Sequence, residues 1–108
     1  MVTINGKEYG LAFTGRARIA SSNWVALHEG EASVDHFRIM RAVCMINAYN
    51  AMNGIKETVK LDDFIDLPNR EINKLLAEEA RVFEEDSKQE VEAVPKKGKN
   101  AKSTAVSN

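Results

Sequence analysis

The first thirteen residues alternate between apolar and polar side chains on both sides of an Asn-Gly pair. Val2 and Ile4 precede the pair, and Tyr9, Leu11 and Phe13 follow it at every second position. Asn-Gly accepts the positive φ angles of a type I′ turn, which joins two antiparallel strands. The pattern therefore predicts an N-terminal β-hairpin with one apolar face. Because a lone hairpin is only marginally stable in water, this face must pack against other elements.

The next apolar positions have helical spacing. They predict a first helix from about residue 16 to residue 28, with Gly30 as a plausible C-terminal stop. Its expected apolar stripe consists of Ala17, Ala20, Trp24 and Leu27, with Ile19 beside it.

A second helix is expected to begin after an N-cap at Ser33 and to end near Asn53, with Gly54 as a left-handed stop. Its apolar surface is wider than one stripe. Its inward face is predicted to consist of Val34, Phe37, Met40, Val43, Cys44, Ala48, Ala51 and Met52. We expect it to be the central element, covered by the hairpin on one side and by another helix on the other.

The last helical patterns lie around Pro68. Residues 61–67 are typical of a single helical turn, and a further helix is expected to start near Pro68 or Asn69, since the residue before a proline is biased away from helix. The apolar face of that helix includes one charged residue, Glu79. The face is Ile72, Leu75, Leu76, Glu79, Ala80 and Phe83.

After about Glu85 the composition changes to acidic residues and then to lysines, without any aromatic side chain. Such a segment buries too little apolar area to offset the entropy of ordering it. The predicted fold class is α+β: a two-stranded hairpin packed on about three or four α-helices in residues 1–85. A disordered charged tail is expected in residues 86–108.

Length and charge exclude several classes of protein. A chain of 108 residues forms one domain at most, and its net charge of −1 offers no global attraction for nucleic acid. The single cysteine, Cys44, excludes an internal disulfide. No apolar run has the length of a membrane span, and the N-terminus lacks a signal-peptide core. We therefore expect a cytoplasmic protein.

The candidate chemical groups favour structural roles. His28 and His36 match no zinc spacing and are expected on the surface, whereas Cys44 is expected in the core. Asp62, Asp63 and Asp66 lack the spacing of a calcium loop, and no phosphate-binding glycine motif is present. We therefore expect no catalytic residues, metal ligands or cofactor, and interpret the chain as a non-enzymatic interaction module.

One resemblance to a known family begins in the hairpin. The sequence Ile4-Asn5-Gly6-Lys7-Glu8-Tyr9, followed by Leu11 and Phe13, resembles the start of the tail assembly chaperones of long-tailed bacteriophages. Residues 37–54 and 55–83 resemble the helical region of that family in length and layout.

The resemblance implies a protein that binds the tape-measure protein, the tail-tube protein or both in the cytoplasm of the bacterial host during tail morphogenesis. A surplus apolar helical face suits this role, because it can hold an amphipathic partner helix in a groove. The residues expected to line or support that face are Phe37, Met40, Met52, Leu76 and Phe83. The alternative is that all of them are core residues.

Two other functions stay open at this point, and so does self-association. A structural tail completion or connector protein would persist in purified virions, whereas a chaperone would be absent from them. A small nucleic-acid-binding regulator would bind DNA with a strong dependence on salt, and the near-neutral charge disfavours it.

Overall fold

An N-terminal hairpin and four helices follow one another in the computed structural model, which describes the backbone of residues 1–93 and the side chains as far as residue 88. The elements are β1 (Val2–Ile4), β2 (Lys7–Tyr9), α1 (Gly15–Leu27), α2 (Val34–Met52), α3 (Asp62–Ile65) and α4 (Asn69–Ala93). The predicted α+β class, a hairpin packed with helices, is confirmed. Residues 94–108, which belong to the predicted tail, lie outside the described residues.

The hairpin has the predicted turn. Its antiparallel strands pair Val2 with Tyr9 and Ile4 with Lys7. Between them Asn5 has a φ of 51° and Gly6 a φ of 84°, both positive, as a type I′ turn requires. Ile4 is buried in the core. The ring of Tyr9 meets that of Phe64 in α3 edge to face, with centroids 5.4 Å apart.

Polar contacts attach the hairpin to α4. The backbone N–H of Asn5 donates to the Glu71 carboxylate at 2.6 Å, and the N-terminal amine lies 3.4 Å from the carboxylate of Glu78. The hydrogen bond from Asn5, and then the one from Lys74, hold the pKa of Glu71 below its usual range. The hairpin is therefore fixed to α4 by charge-assisted hydrogen bonds as well as by apolar packing.

Helix α2 is the central element, as predicted. Its middle, residues 42–46, is buried at every position, so it is covered around its whole circumference. Ser33 Oγ accepts a hydrogen bond from the His36 N–H at 3.1 Å, and Gly54 has a φ of 70°, which confirms both predicted ends. Helices α1 and α4 supply most of the cover of α2. The hairpin, which was expected to cover one side of α2, packs through β1 chiefly on α4 instead.

The connection from α2 to α3 follows the surface of α2 through two asparagines. The side chain of Asn47 donates to the Val59 carbonyl at 3.0 Å and accepts from the Val59 N–H at 2.8 Å. The amide of Asn50 donates to the Glu57 carbonyl at 3.0 Å. These bonds satisfy backbone groups that have no strand or helix partner, so the connection is ordered without regular structure.

Helix α1 is oriented differently from the prediction. Ala17 and Ser21 are its buried residues, whereas the expected core residue Leu27 is 79% exposed and Ile19 is 64% exposed. The residues that face the core are at positions 17, 21, 24 and 28. Their spacing of three or four is as typical of one helix face as the spacing of the predicted residues. Ser21 fits there because it is small and because its hydroxyl donates to the Arg18 carbonyl at 3.2 Å.

Helix α4 starts at Asn69, as predicted, but continues past Glu85 to Ala93. The predicted start of the disordered tail, residue 86, therefore lies within the helix. Arg81 pairs with Glu78 one turn before it and with Glu85 one turn after it, and such pairs support a helix on its exposed face. The composition of this segment lacks core residues but consists largely of good helix formers, which extend an established helix at little cost.

Gly10 packs so closely against α2 that a mutation can test the contact. A Cβ added at Gly10 would lie 2.4–2.6 Å from three carbons of the Tyr49 ring. We expect Gly10→Ala to lower the free energy of unfolding by about 1–3 kcal/mol, because the ring must move. Gly15→Ala is the matched control, since an added Cβ there meets nothing within 4 Å. Urea denaturation measures both variants, and equal stability of the two would contradict the contact.

The Glu71 anchor predicts a dependence of stability on pH. Since its pKa is lowered in the fold, its contribution is complete above the unfolded pKa of about 4.3 and is lost as the pH falls through the folded value. We expect Glu71→Gln to lose less stability than the wild type between about pH 5 and pH 3. Glu8→Gln, on an exposed position of β2, is the control and should keep the wild-type pH profile.

Candidate functional site

An open groove of about 710 Å³ lies between the N-terminal half of α2, the segment from α3 to α4, and the first turns of α4. Its lining combines large apolar side chains with a few polar ones. The large apolar residues are Ile39, Ile65, Leu67, Ile72 and Leu76. The polar or charged residues are Asp35, Arg38, Asn69 and Asn73, and the small residues are Ala77 and Ala80. We call this the α2–α4 groove.

The α4 wall of the groove is a stripe of small and medium-sized residues. Asn69, Asn73, Ala77 and Ala80 recur every three or four positions, so they lie along one side of the helix. The stripe extends over roughly 16 Å, or about three helical turns. Its alanines leave room beside the α4 backbone, and the exposed side chain of Ile65 adds apolar surface at one end. The dimensions suit a short helix lying alongside α4.

Behind this wall lies a fully buried carboxylate. Glu79 is 0% exposed, and its two oxygens are shared between arginines of α2. Oε1 accepts from Arg38 Nε at 3.1 Å and from Arg38 Nη2 at 3.0 Å, while Oε2 accepts from Arg41 Nε at 2.5 Å. The same Arg38 Nη2 donates to the Leu76 carbonyl at 2.9 Å. The cost of burying the charge is thus offset by charge-assisted hydrogen bonds.

The guanidinium of Arg41 is enclosed by aromatic rings. Its central carbon lies 4.0 Å from the centroid of Phe83 and 5.1 Å from that of Phe37, in cation–π geometry. Phe83 also meets Phe13 edge to face at 5.2 Å. Arg41 is therefore held on the protein side of the cluster, whereas Arg38 faces the groove.

Three of the residues expected to contact a partner lie near this region. Leu76 lines the groove directly, whereas Phe37 and Phe83 are half-buried beside Arg41. The structure gives Phe37 and Phe83 a packing role, and their contact with a partner stays a prediction.

The other two expected contact residues do not join them at the groove. Met40 is half-buried against the core. Met52, the last residue of α2, is 66% exposed and lies roughly 20 Å along the helix from Ile39. The five residues therefore do not form one surface, and a role for Met40 or Met52 in binding also stays a prediction.

Sequence reasoning missed the charged residues of the groove. Neither Arg38 nor Asp35 belongs to a sequence motif, so nothing in the local pattern predicts that both line a groove. A signal was nevertheless present, because Glu79 interrupts an otherwise apolar face and a buried acid needs a basic partner. The sequence does not identify which arginine supplies it.

The histidines expected on the surface are instead half-buried around Trp24. The His28 ring stacks on Trp24 with centroids 4.2 Å apart, and His36 meets the same ring edge to face at 4.8 Å. His28 Nδ1 donates to the Trp24 carbonyl at 2.9 Å, while His36 Nε2 is buried without a hydrogen-bond partner among the described residues. The aromatic packing of α1 on α2 explains the burial of both rings.

Neither histidine belongs to a metal site in the described part of the chain, where no group of three His, Cys, Asp or Glu residues is arranged to hold an ion. Cys44 is buried in the core, as expected, and burial raises the pKa of its thiol. A raised pKa disfavours the thiolate, which is the reactive form of cysteine.

The buried carboxylate makes a prediction about stability. We expect Glu79→Gln to lower the free energy of unfolding by about 3 kcal/mol or more, because it leaves two guanidinium groups without a counter-charge. Glu85→Gln is the control, since that carboxylate pairs with Arg81 in solvent, and should cost at most about 0.5 kcal/mol. Guanidinium chloride denaturation measures the free energy of unfolding of both variants. Similar losses would show that the buried ion pairs of Glu79 stabilise the fold no more than the exposed pair of Glu85 does.

Comparison of the chain with protein-family models, with curated proteins and with solved structures yields no match. Within residues 1–93, no helix combines the length and the apolarity that crossing a membrane requires. The groove and the charges around it are therefore the observations from which a function is argued.

Proposed function

We propose that this chain is a non-enzymatic binding protein that holds an apolar helical segment of a partner in the α2–α4 groove. The observation that carries the proposal is the groove itself, which combines an apolar wall with a stripe of small residues about three turns long. Amphipathic helices bind other proteins in this way, with side chains from successive turns entering an apolar groove.

The specific role that we propose is that of a bacteriophage tail assembly chaperone. It would act in the bacterial host cytoplasm on the tape-measure protein, the tail-tube protein or both. The support is the resemblance of the N-terminal hairpin, together with the physical suitability of an open groove for covering an apolar helix until assembly. An open groove suits a temporary complex, because the partner can leave without unfolding of the domain.

Co-expression tests this function. We expect the full chain to co-elute with the tape-measure or tail-tube protein of the same genome in size-exclusion chromatography with light scattering, and to increase the soluble fraction of that partner. The variant Ala77→Gln/Ala80→Gln fills the groove with longer side chains that are also good helix formers, and it should lose the partner. Ala20→Gln/Ala26→Gln, at exposed positions of α1, is the matched control and should keep it.

Other outcomes would overturn the proposal. A folded protein that elutes alone and is then found by mass spectrometry in purified particles would be a structural tail component. Co-elution that persists in the groove-filled variant would place the binding surface elsewhere. Binding to DNA that falls steeply with salt would favour a nucleic-acid-binding regulator.

A further inference from the structure

We infer that the helix which binds in the α2–α4 groove belongs to a different protein and presents an acidic side chain to Arg38. This inference rests on the proposed function and adds the chemistry of the partner. It is argued from the unused donors of Arg38, from the charges around it and from the surfaces that this chain itself offers.

Arg38 lines the groove and has hydrogen-bonding capacity left. Its Nε and Nη2 donate to Glu79 and to the Leu76 carbonyl, whereas Nη1 donates to no residue among those described. The side chain is 31% exposed and lines the groove. Because its other nitrogens are held in place, the guanidinium is already oriented, and a carboxylate that meets it loses little entropy in forming the contact.

The charges in direct contact with Glu79 also favour an acid beside Arg38. Two guanidinium charges, of Arg38 and Arg41, face the single carboxylate charge of Glu79. Asp35 lines the groove one turn before Arg38 and has no ion-pair partner among the described residues. An acid on the partner is therefore attracted beside Arg38 and repelled one turn away beside Asp35, where a basic or neutral residue fits.

Away from the groove itself, the described helices expose no face that combines large apolar and acidic residues. Residues 94–108 contain four lysines and no acid, so Arg38 would repel them. Helix α1 exposes Ile19 and Leu27 but contains arginines and no acid. Residues 84–88 of α4 contain three acids but no apolar side chain that could fill the groove. Neither residues 94–108 nor the described helices of a second copy therefore suit the groove, and a helix of a different protein does.

A displayed peptide library tests the inference without a known partner. The probe is a set of helical peptides of about four turns with leucines along one face and varied residues at the other positions. It is selected against the full wild-type chain and counter-selected against Ala77→Gln/Ala80→Gln. We expect binders to be enriched in Asp or Glu at one fixed position. Replacing that acid by its amide should weaken binding about fivefold, as measured by fluorescence anisotropy.

A variant of the protein then locates the charge. Asp35→Asn removes the neighbouring negative charge without touching Glu79, and it should strengthen binding of the acidic peptide about twofold while leaving its amide version unchanged. Binders that compete for the groove but show no preference for an acid would overturn this inference and leave the proposed function standing. A library without any groove-dependent binder would overturn both.

Discussion

The arrangement of the helices depends on the burial of one carboxylate, that of Glu79. A buried ion that loses its partners is costly, so α4 can pack on α2 only where Arg38 and Arg41 meet both of its oxygens. Apolar contacts alone would tolerate small rotations and shifts of α4. The two hydrogen bonds from Arg38 to one carboxylate oxygen and the one from Arg41 to the other tolerate few, and they set the position of α4 along and around its axis.

Other parts of the fold follow from that position. Glu71 and Glu78 share one flank of α4, about 80–100° around the helix from Glu79, and they accept hydrogen bonds from the Asn5 backbone N–H and the N-terminal amine. Leu75, which is fully buried, lies between them. The orientation that buries Glu79 therefore also presents the carboxylates that hold the hairpin. On the opposite flank, the same orientation turns Asn73 and Ala77 toward the groove.

Local sequence signals predicted the elements that local physics determines. The Asn-Gly turn, the Ser33 cap, the Gly54 stop and the start of α4 after Pro68 depend on a few neighbouring residues, and all are found. Helix α1 was oriented wrongly, because it has apolar residues on several sides and only its packing on α2 selects the buried one. The end of α4 was placed too early, because composition measures the capacity to form a core and not helix propensity.

The candidate site was the least predictable part, and the reason is physical. The groove is formed by α2, α3 and α4 together, and the partners of Glu79 lie 38 and 41 positions away in the sequence, so no local pattern contains them. Of the residues expected to contact a partner, only Leu76 lines the groove. The surplus of apolar positions indicated that some surface was available for a partner, but surplus alone does not locate a surface or assign its charges.

In the proposed complex, the single side chain of Arg38 serves both stability and recognition. The contacts with Glu79 that stabilise the fold also hold the Arg38 guanidinium in place beside the groove, so the core preorganises the proposed binding site. Replacing Arg38 would therefore disturb both functions at once. The groove residues Asp35, Asn69 and Asn73 are exposed and outside the core, and they can change without that cost. In the proposed complex, selectivity among partner helices is expected to reside in these exposed residues, while Arg38 favours an acid in every partner.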